Sequence, residues 1–407
     1  MSLAALLSAR SRRLAVLVGS AWLLAAGASQ ACELTPEWER IVGVPGVDVR
    51  LAGMALWGSR GLVLGGWLRP PEAASPEDFS IGFFRLSEAG EADTVATLNR
   101  LDSSKATVLE QGMLSALDDV AVLGGERLFG AAEANAGAAA LVEVGPAGER
   151  RLARQLAVDS PSLFLRLLPL SGNRLLGLGQ RGEAAMALIL SPDGEIQRRF
   201  VDNLGPTARY FDALEQPEGR LVLLANAGSY DLLLRGPSQV LLRRLGPDGA
   251  QLRQVALPGR FGALAELKDG RIAMVFDQSG TEAQDIHLEL FDADLHLLWE
   301  KPVTTSGRGF SRYRVAALPD GRLLVAGAKE SRRYLAAFEP TGEKVWEKWQ
   351  EDDPNLGQEY VVAVRDRSVY VAGAHFVENG PGGFLQKIRV SKFLCVEAKP
   401  AAAKGTP

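Results

Sequence analysis

Residues able to do chemistry are few in this chain and widely scattered. Its three histidines are His287, His296 and His375. A histidine metal centre needs at least two ligands close together on a concave surface, with supporting groups behind them. His287 and His296 fall within or beside one predicted strand pair, and His375 stands alone in a later connection. No nucleophile elbow, zincin motif or phosphate loop occurs. A catalytic triad has members that need not be adjacent in sequence, and nothing here recommends one. Glu351-Asp352-Asp353-Pro354-Asn355 offers oxygen ligands of the kind Ca²⁺ takes. It lacks the spaced alternation of a dedicated calcium loop and reads first as an acidic turn. The expectation is no catalytic residue and no cofactor, with Ca²⁺ the one ion left open.

A second group is basic and aromatic. Arg209, Arg260, Arg308, Arg312, Arg332 and Arg333 lie in predicted connections. Converging on a channel mouth they would form an anion-attracting funnel; dispersed, they are solvated surface charges. Tyr230 to Leu234 and Phe376-Val377 bring aromatic and apolar groups to the same connections, beside His375. Apolar residues on a loop rim suit a protein contact, and folding back onto the neighbouring strands is the other reading. These residues form the candidate partner face.

What must position them is a repeat. A polar turn leading into an aliphatic strand recurs with its arginine at 60, 127, 174, 220, 271, 322 and 367, in steps of 67, 47, 46, 51, 51 and 45. A second turn comes 18 to 28 residues later in six of the seven units: Glu88-Ala-Gly90, Pro146-Ala-Gly148, Pro192-Asp-Gly194, Pro247-Asp-Gly249, Asp292-Ala-Asp294 and Pro340-Thr-Gly342. Proline presets φ for the first central turn position, and Gly or Asp tolerates the conformations needed at the later ones. Strand-length apolar runs flank each turn, so every unit reads as four short antiparallel strands. Seven such units predict an all-β, seven-bladed β-propeller of four-stranded blades, with six or eight blades the neighbouring counts.

Closure is predicted by the two ends. Leu34-Thr-Pro-Glu-Trp-Glu-Arg-Ile-Val42 shares its Trp-Glu-basic core with Gly342-Glu-Lys-Val-Trp-Glu-Lys-Trp349, whereas the last unit ends without such a segment. An N-terminal strand, from about Glu37 to Val42, therefore completes the last blade. Cys32 and Cys395, the only cysteines, stand at the two ends of the domain. In an exported protein such a pair suggests a disulfide clamping the seam; two free thiols is the alternative.

Blade six, Leu318-Pro-Asp-Gly-Arg-Leu-Leu-Val-Ala-Gly327 through Tyr334-Leu-Ala-Ala-Phe-Glu-Pro-Thr-Gly342, resembles the delta-60-type propeller repeat of bacterial surface and secreted proteins. Its end, Phe338-Glu-Pro-Thr-Gly-Glu-Lys-Val-Trp346, is similar to the repeat of pyrroloquinoline-quinone-type propellers. The resemblance implies a fold and an extracytoplasmic setting, and brings no activity with it. A quinone dehydrogenase would want a Trp docking motif in nearly every blade and an adjacent cysteine pair; the chain has one good copy and no such pair.

Residues 1–31 have the layout of a secretory signal: Arg10, Arg12 and Arg13, then the apolar run Leu14 to Ala28, then Ser29-Gln30-Ala31 before Cys32. A retained anchor, or a lipoprotein signal lipidating Cys32, are the alternatives. Without the leader 42 basic and 49 acidic side chains remain, a net of −7, which speaks against a nucleic-acid partner. No later stretch is long and apolar enough to span a membrane. The domains expected are a signal at 1–31, one propeller at 32–396 and a disordered tail at 397–407. The function expected is that of a periplasmic or secreted scaffold binding another envelope or extracellular protein. The alternative is a lactonase- or glycan-lyase-like propeller with its site at the central channel.

Overall fold

The computed structural model describes residues 32–59, 61–72, 80–98, 114–134, 138–145, 147–156, 162–228, 238–278, 284–306, 313–329, 332–349, 356–379 and 384–397. Its 28 strands form seven sheets of four, all antiparallel. Six blades are continuous in sequence, at 48–98, 114–155, 162–202, 209–258, 260–306 and 314–349. Blade seven takes three strands from Leu356–Arg365, Ser368–Glu378 and Phe384–Glu397, and its fourth from Cys32–Val42. The first strand of every blade touches the first strands of both neighbouring blades, and the contacts close in a cycle of seven. First strands therefore surround the axis. The fourth strands form the rim, with exposed patterns such as that of Gln251–Pro258.

Burial has the same symmetry. Buried apolar side chains fall into seven clusters, each shared by two adjacent blades, and the cluster between blades seven and one shuts the circle. The cluster between blades four and five, for example, joins Leu224 and Leu242 to Met274 and Phe276. A blade in isolation would expose both faces, so the sheets are stable only as a closed stack.

Both recurring turns are hairpins on one end of the ring. The third-to-fourth connection spans five residues in all six blades that have it. In each, its first backbone N–H donates to the carbonyl four residues on, and its fourth N–H donates back to the first carbonyl, as from Ser191 to Glu195 (2.9 Å) and Gly194 to Ser191 (3.0 Å). That geometry needs a left-handed residue, and Gly194 supplies it at φ 78°. In blade five the sequence places Asp294 there, but the left-handed residue is Leu295 at φ 62°. Leu295 is buried in the interface core, and this burial holds it in the disfavoured region.

The recurring arginine and the recurring turn are physically coupled. Arg127 of blade two donates to the carbonyl of Pro192 in the turn of blade three (3.3 Å), and Arg271 of blade five to that of Pro340 in blade six (3.5 Å). Side chains on the fourth strands tack the same turns from outside. Trp299 Nε1 donates to Pro340 O and Trp38 Nε1 to Glu88 O, both at 2.9 Å. Trp38 and Trp346 occupy matching register positions, opposite Lys392 and Ala337, immediately after a bulge. Their sequence likeness is thus positional equivalence in adjacent blades.

Blade seven has no third-to-fourth hairpin because its fourth strand comes from the other end of the chain. The Cys32–Cys395 disulfide stands in that place, with Cα atoms 5.1 Å apart. Arg322 of blade six donates to Cys32 O, as Arg271 does to Pro340 O, and Trp346 packs against the cluster that holds both cysteines. Around the seam, Glu88 of blade one accepts from Tyr370 Oη (2.7 Å) and Lys392 Nζ (3.0 Å) and pairs with Arg365, all of blade seven.

Candidate functional site

The innermost strands bring four charged residues to the ring centre: Asp119 in blade two, Arg166 in blade three, Asp212 in blade four and Arg314 in blade six. Each lies eight residues before its blade's turn arginine. Arg166 is held between two carboxylates, with Nη1 3.2 Å from Asp119 Oδ2 and Nε 3.4 Å from Asp212 Oδ1. Each aspartate also accepts a backbone N–H from the next blade, Leu167 to Asp119 at 2.9 Å and Leu264 to Asp212 at 3.0 Å. Burial pushes the Asp119 carboxyl up, opposed by Arg166 and, more weakly, by Arg314 across the ring. Burial works to lower Arg166, but the two aspartates more than offset it and raise it. The arrangement is an acid–base–acid strut binding three inner strands. Asp119 Oδ1 lies against Gly53, where a Cβ would stand 2.0 Å from it.

Two clefts open on the hairpin end. One, of about 1110 Å³, lies between blades four and five and is lined by Glu215, Glu218, Arg244, Glu266, Asp269 and Asp294, among others. The other, about 380 Å³, lies between blades three and four and includes Arg174, Arg198 and Phe200; the two share Glu215, Glu218 and Gly219. Most of the charges here are engaged. Glu215 takes the Ser171 hydroxyl at 2.7 Å and pairs with Arg174 at 3.3 Å, and Arg244 reaches Gln216 (3.2 Å) and Asp294. Burial raises the Glu266 carboxyl.

Of the candidate partner face, Arg209 and Arg260 are the first residues of the first strands of blades four and five, at the end where the inter-blade connections arrive. Arg260 lies 3.3 Å from Asp277. Arg332 opens the third strand of blade six. Arg333, 2% exposed, donates to Ser391 Oγ at 2.7 Å between blades six and seven. His375 and Phe376 lie in a strand, because the pairing with Phe384–Glu397 continues as far as Glu378. His375 is buried and Phe376 half-buried. Tyr230, Arg308, Arg312 and the acidic turn 351–355 lie outside the described residues. His287 is 2.6 Å from Glu300 and His296 2.8 Å from Asp292, on the outer strands and turn of blade five. Among the described residues, one set of ligand types is compact enough for a single ion, Cys32, Asp320 and Cys395, and there the two sulfurs are bonded to each other.

The ring-centre strut was missed in the sequence, although a signal existed. Positions 119, 166, 212 and 314 repeat with the period of the turn arginines, and their charge stands where blades one and five have Ala52 and Ala263.

No known protein family matches the chain, and no curated protein matches its sequence. Solved structures do match its shape. Drosophila plexin A, in complex with semaphorin 1b, is similar at a TM-score of 0.51 and 8% identity, over 90% of this chain and 88% of that one. A putative 6-phosphogluconolactonase from Bacteroides uniformis is similar at 0.46 and 16%, over 77% and 92%, and a subtype N11 neuraminidase-like protein from a flat-faced bat isolate at 0.45 and 12%, over 70% and 88%. The protein is a seven-bladed β-propeller. No helix among the described residues is long and apolar enough to cross a membrane.

Proposed function

We propose that this is an exported binding scaffold that engages another protein through the face opposite the hairpins. One observation carries the reading: length variation is greatest on that face. Hairpin-end connections span two to five residues, whereas second-to-third-strand connections span two to ten and inter-blade connections one to fifteen. Where the fold is constant and one face varies, that face is the one free to specify a partner. Plexin A, solved with a protein partner, illustrates such use of the fold. The disulfide and the resemblance of blade six to surface and secreted repeats support an oxidising, extracytoplasmic setting.

The test is affinity capture from the native envelope with two baits, the intact protein and a variant whose 70–79 and 229–237 connections are replaced by two-residue turns. A protein retained by the first and lost by the second is the expected result. Equal capture by both baits, or turnover of a lactone or sugar panel abolished by Asp119→Asn, favours the channel hydrolase or lyase instead.

A further inference from the structure

Blade six grips the backbone of Cys32 through both its N–H and its carbonyl. Asp320 and Arg322 end its first turn, Asp320 half-buried and Arg322 2% exposed, with Arg322 Nε and Nη2 both 2.7 Å from Asp320 Oδ2. Arg322 donates to Cys32 O, while Cys32 N donates to Asp320 Oδ2 at 2.8 Å. Blade five has the same turn, with Asp269 2.7 Å from Arg271 and Arg271 donating to Pro340 O. There the residue in the place of Cys32 is a proline, which has no N–H to give. At Cys32, unlike at Pro340, a nitrogen donor meets the partly buried carboxylate of the turn aspartate.

We propose that the Ala31–Cys32 bond is hydrolysed by a leader peptidase, and that the α-ammonium released on Cys32 docks on Asp320. Water supplies the elements added: Ala31 leaves as a carboxylate, and Cys32 keeps the new ammonium. The leader's small residues at 29 and 31 place the cut there, and the ammonium turns a neutral N–H contact into a charge-assisted one. Cys32 is 2% exposed in the closed ring, so cleavage precedes closure. Because Cys32 Sγ is bonded to Cys395, the sulfur is not available for a lipid thioether. The first residue of the processed chain thus occupies a built site at the ring's only covalent gap.

The experiment reads the N-terminus of protein purified from its native compartment, then tracks acetylation of the Cys32 α-amine by an activated ester, peptide by peptide, in mass spectrometry. The expected result is a chain beginning at Cys32 whose α-amine labels at least tenfold more slowly when folded than when reduced and denatured. Asp320→Asn should accelerate labelling of the folded protein several-fold, and Asp269→Asn should not. Inserting Gly-Ser between Ala31 and Cys32 displaces the amine from the site and should restore the fast rate in a ring that still closes. An N-terminus upstream of residue 32, a lipid mass on Cys32, or equal labelling of folded wild type and the insertion variant would overturn the proposal.

Discussion

Glu218 holds φ 66° and ψ 17° in the turn between the first two strands of blade four, a region that side chains with a Cβ occupy at a cost of about 1–2 kcal/mol. Its side chain is largely exposed, so no burial compensates. Glu218→Gly should raise stability by about 0.5–1 kcal/mol in urea unfolding, relief of strain outweighing the extra freedom of the unfolded chain. Gly53 is the reverse case. A Cβ there would meet Asp119 Oδ1 at 2.0 Å and the Val120 nitrogen at 2.9 Å, and the Asp119 carboxylate is already held by Arg166 and the Leu167 N–H. Gly53→Ala should cost about 1–3 kcal/mol. Glu289 is buried opposite Glu300 and Met274; burial first, and Glu300 second, push its carboxyl from 4.5 to about 7. Between those values the folded state holds a proton that the unfolded chain has lost, so stability falls as pH rises through that window. Glu289→Gln should therefore stabilise the protein near pH 8 by about 1–3 kcal/mol and do almost nothing near pH 4. Equal gains at both pH values would show that charge is not the cause.

At the scale of elements, the repeat consists of two turns and the groups that tie them to the next blade. The turns were legible because their chemistry is local: a Pro-x-Gly sequence sets its own dihedrals wherever it stands. Their coupling was not. That Arg271 reaches Pro340, 69 residues away, depends on how adjacent blades stack, and no window of sequence contains both. Leu295 makes the same point, since a buried leucine took the left-handed position that turn propensity assigns to glycine. Trp299→Phe keeps the ring's packing but removes the N–H donated to Pro340 O. The expected loss is about 1 kcal/mol, the net worth of one hydrogen bond, seen as a lower urea midpoint at an unchanged slope.

For the whole molecule, closure decides stability. The Cys32–Val42 strand pairs along its length with Phe384–Glu397, and the disulfide ties residues 363 apart in sequence. Converting both cysteines to serine should cost about 2–5 kcal/mol while leaving the ring assembled, because the strand pairing and the blade six–seven core remain. Deleting residues 32–42 should do worse. It bares the edge of the Phe384–Glu397 strand, an invitation to intermolecular pairing, and size-exclusion chromatography should show species larger than the intact protein forms.

The chain's amino acids by themselves determined the blade number, the two hairpin types, the borrowed N-terminal strand and the cysteine pair, because period, turn residues and end-to-end likeness are properties of local runs. Tertiary structure alone decided which charges meet. Asp119, Arg166 and Asp212 become one strut only when three blades converge on the axis, and Asp320 finds the nitrogen of Cys32 only once the circle shuts. Coulombic and hydrogen-bond partners are chosen by distance in space, and in a ring that distance is set by the angle between blades rather than by separation along the chain.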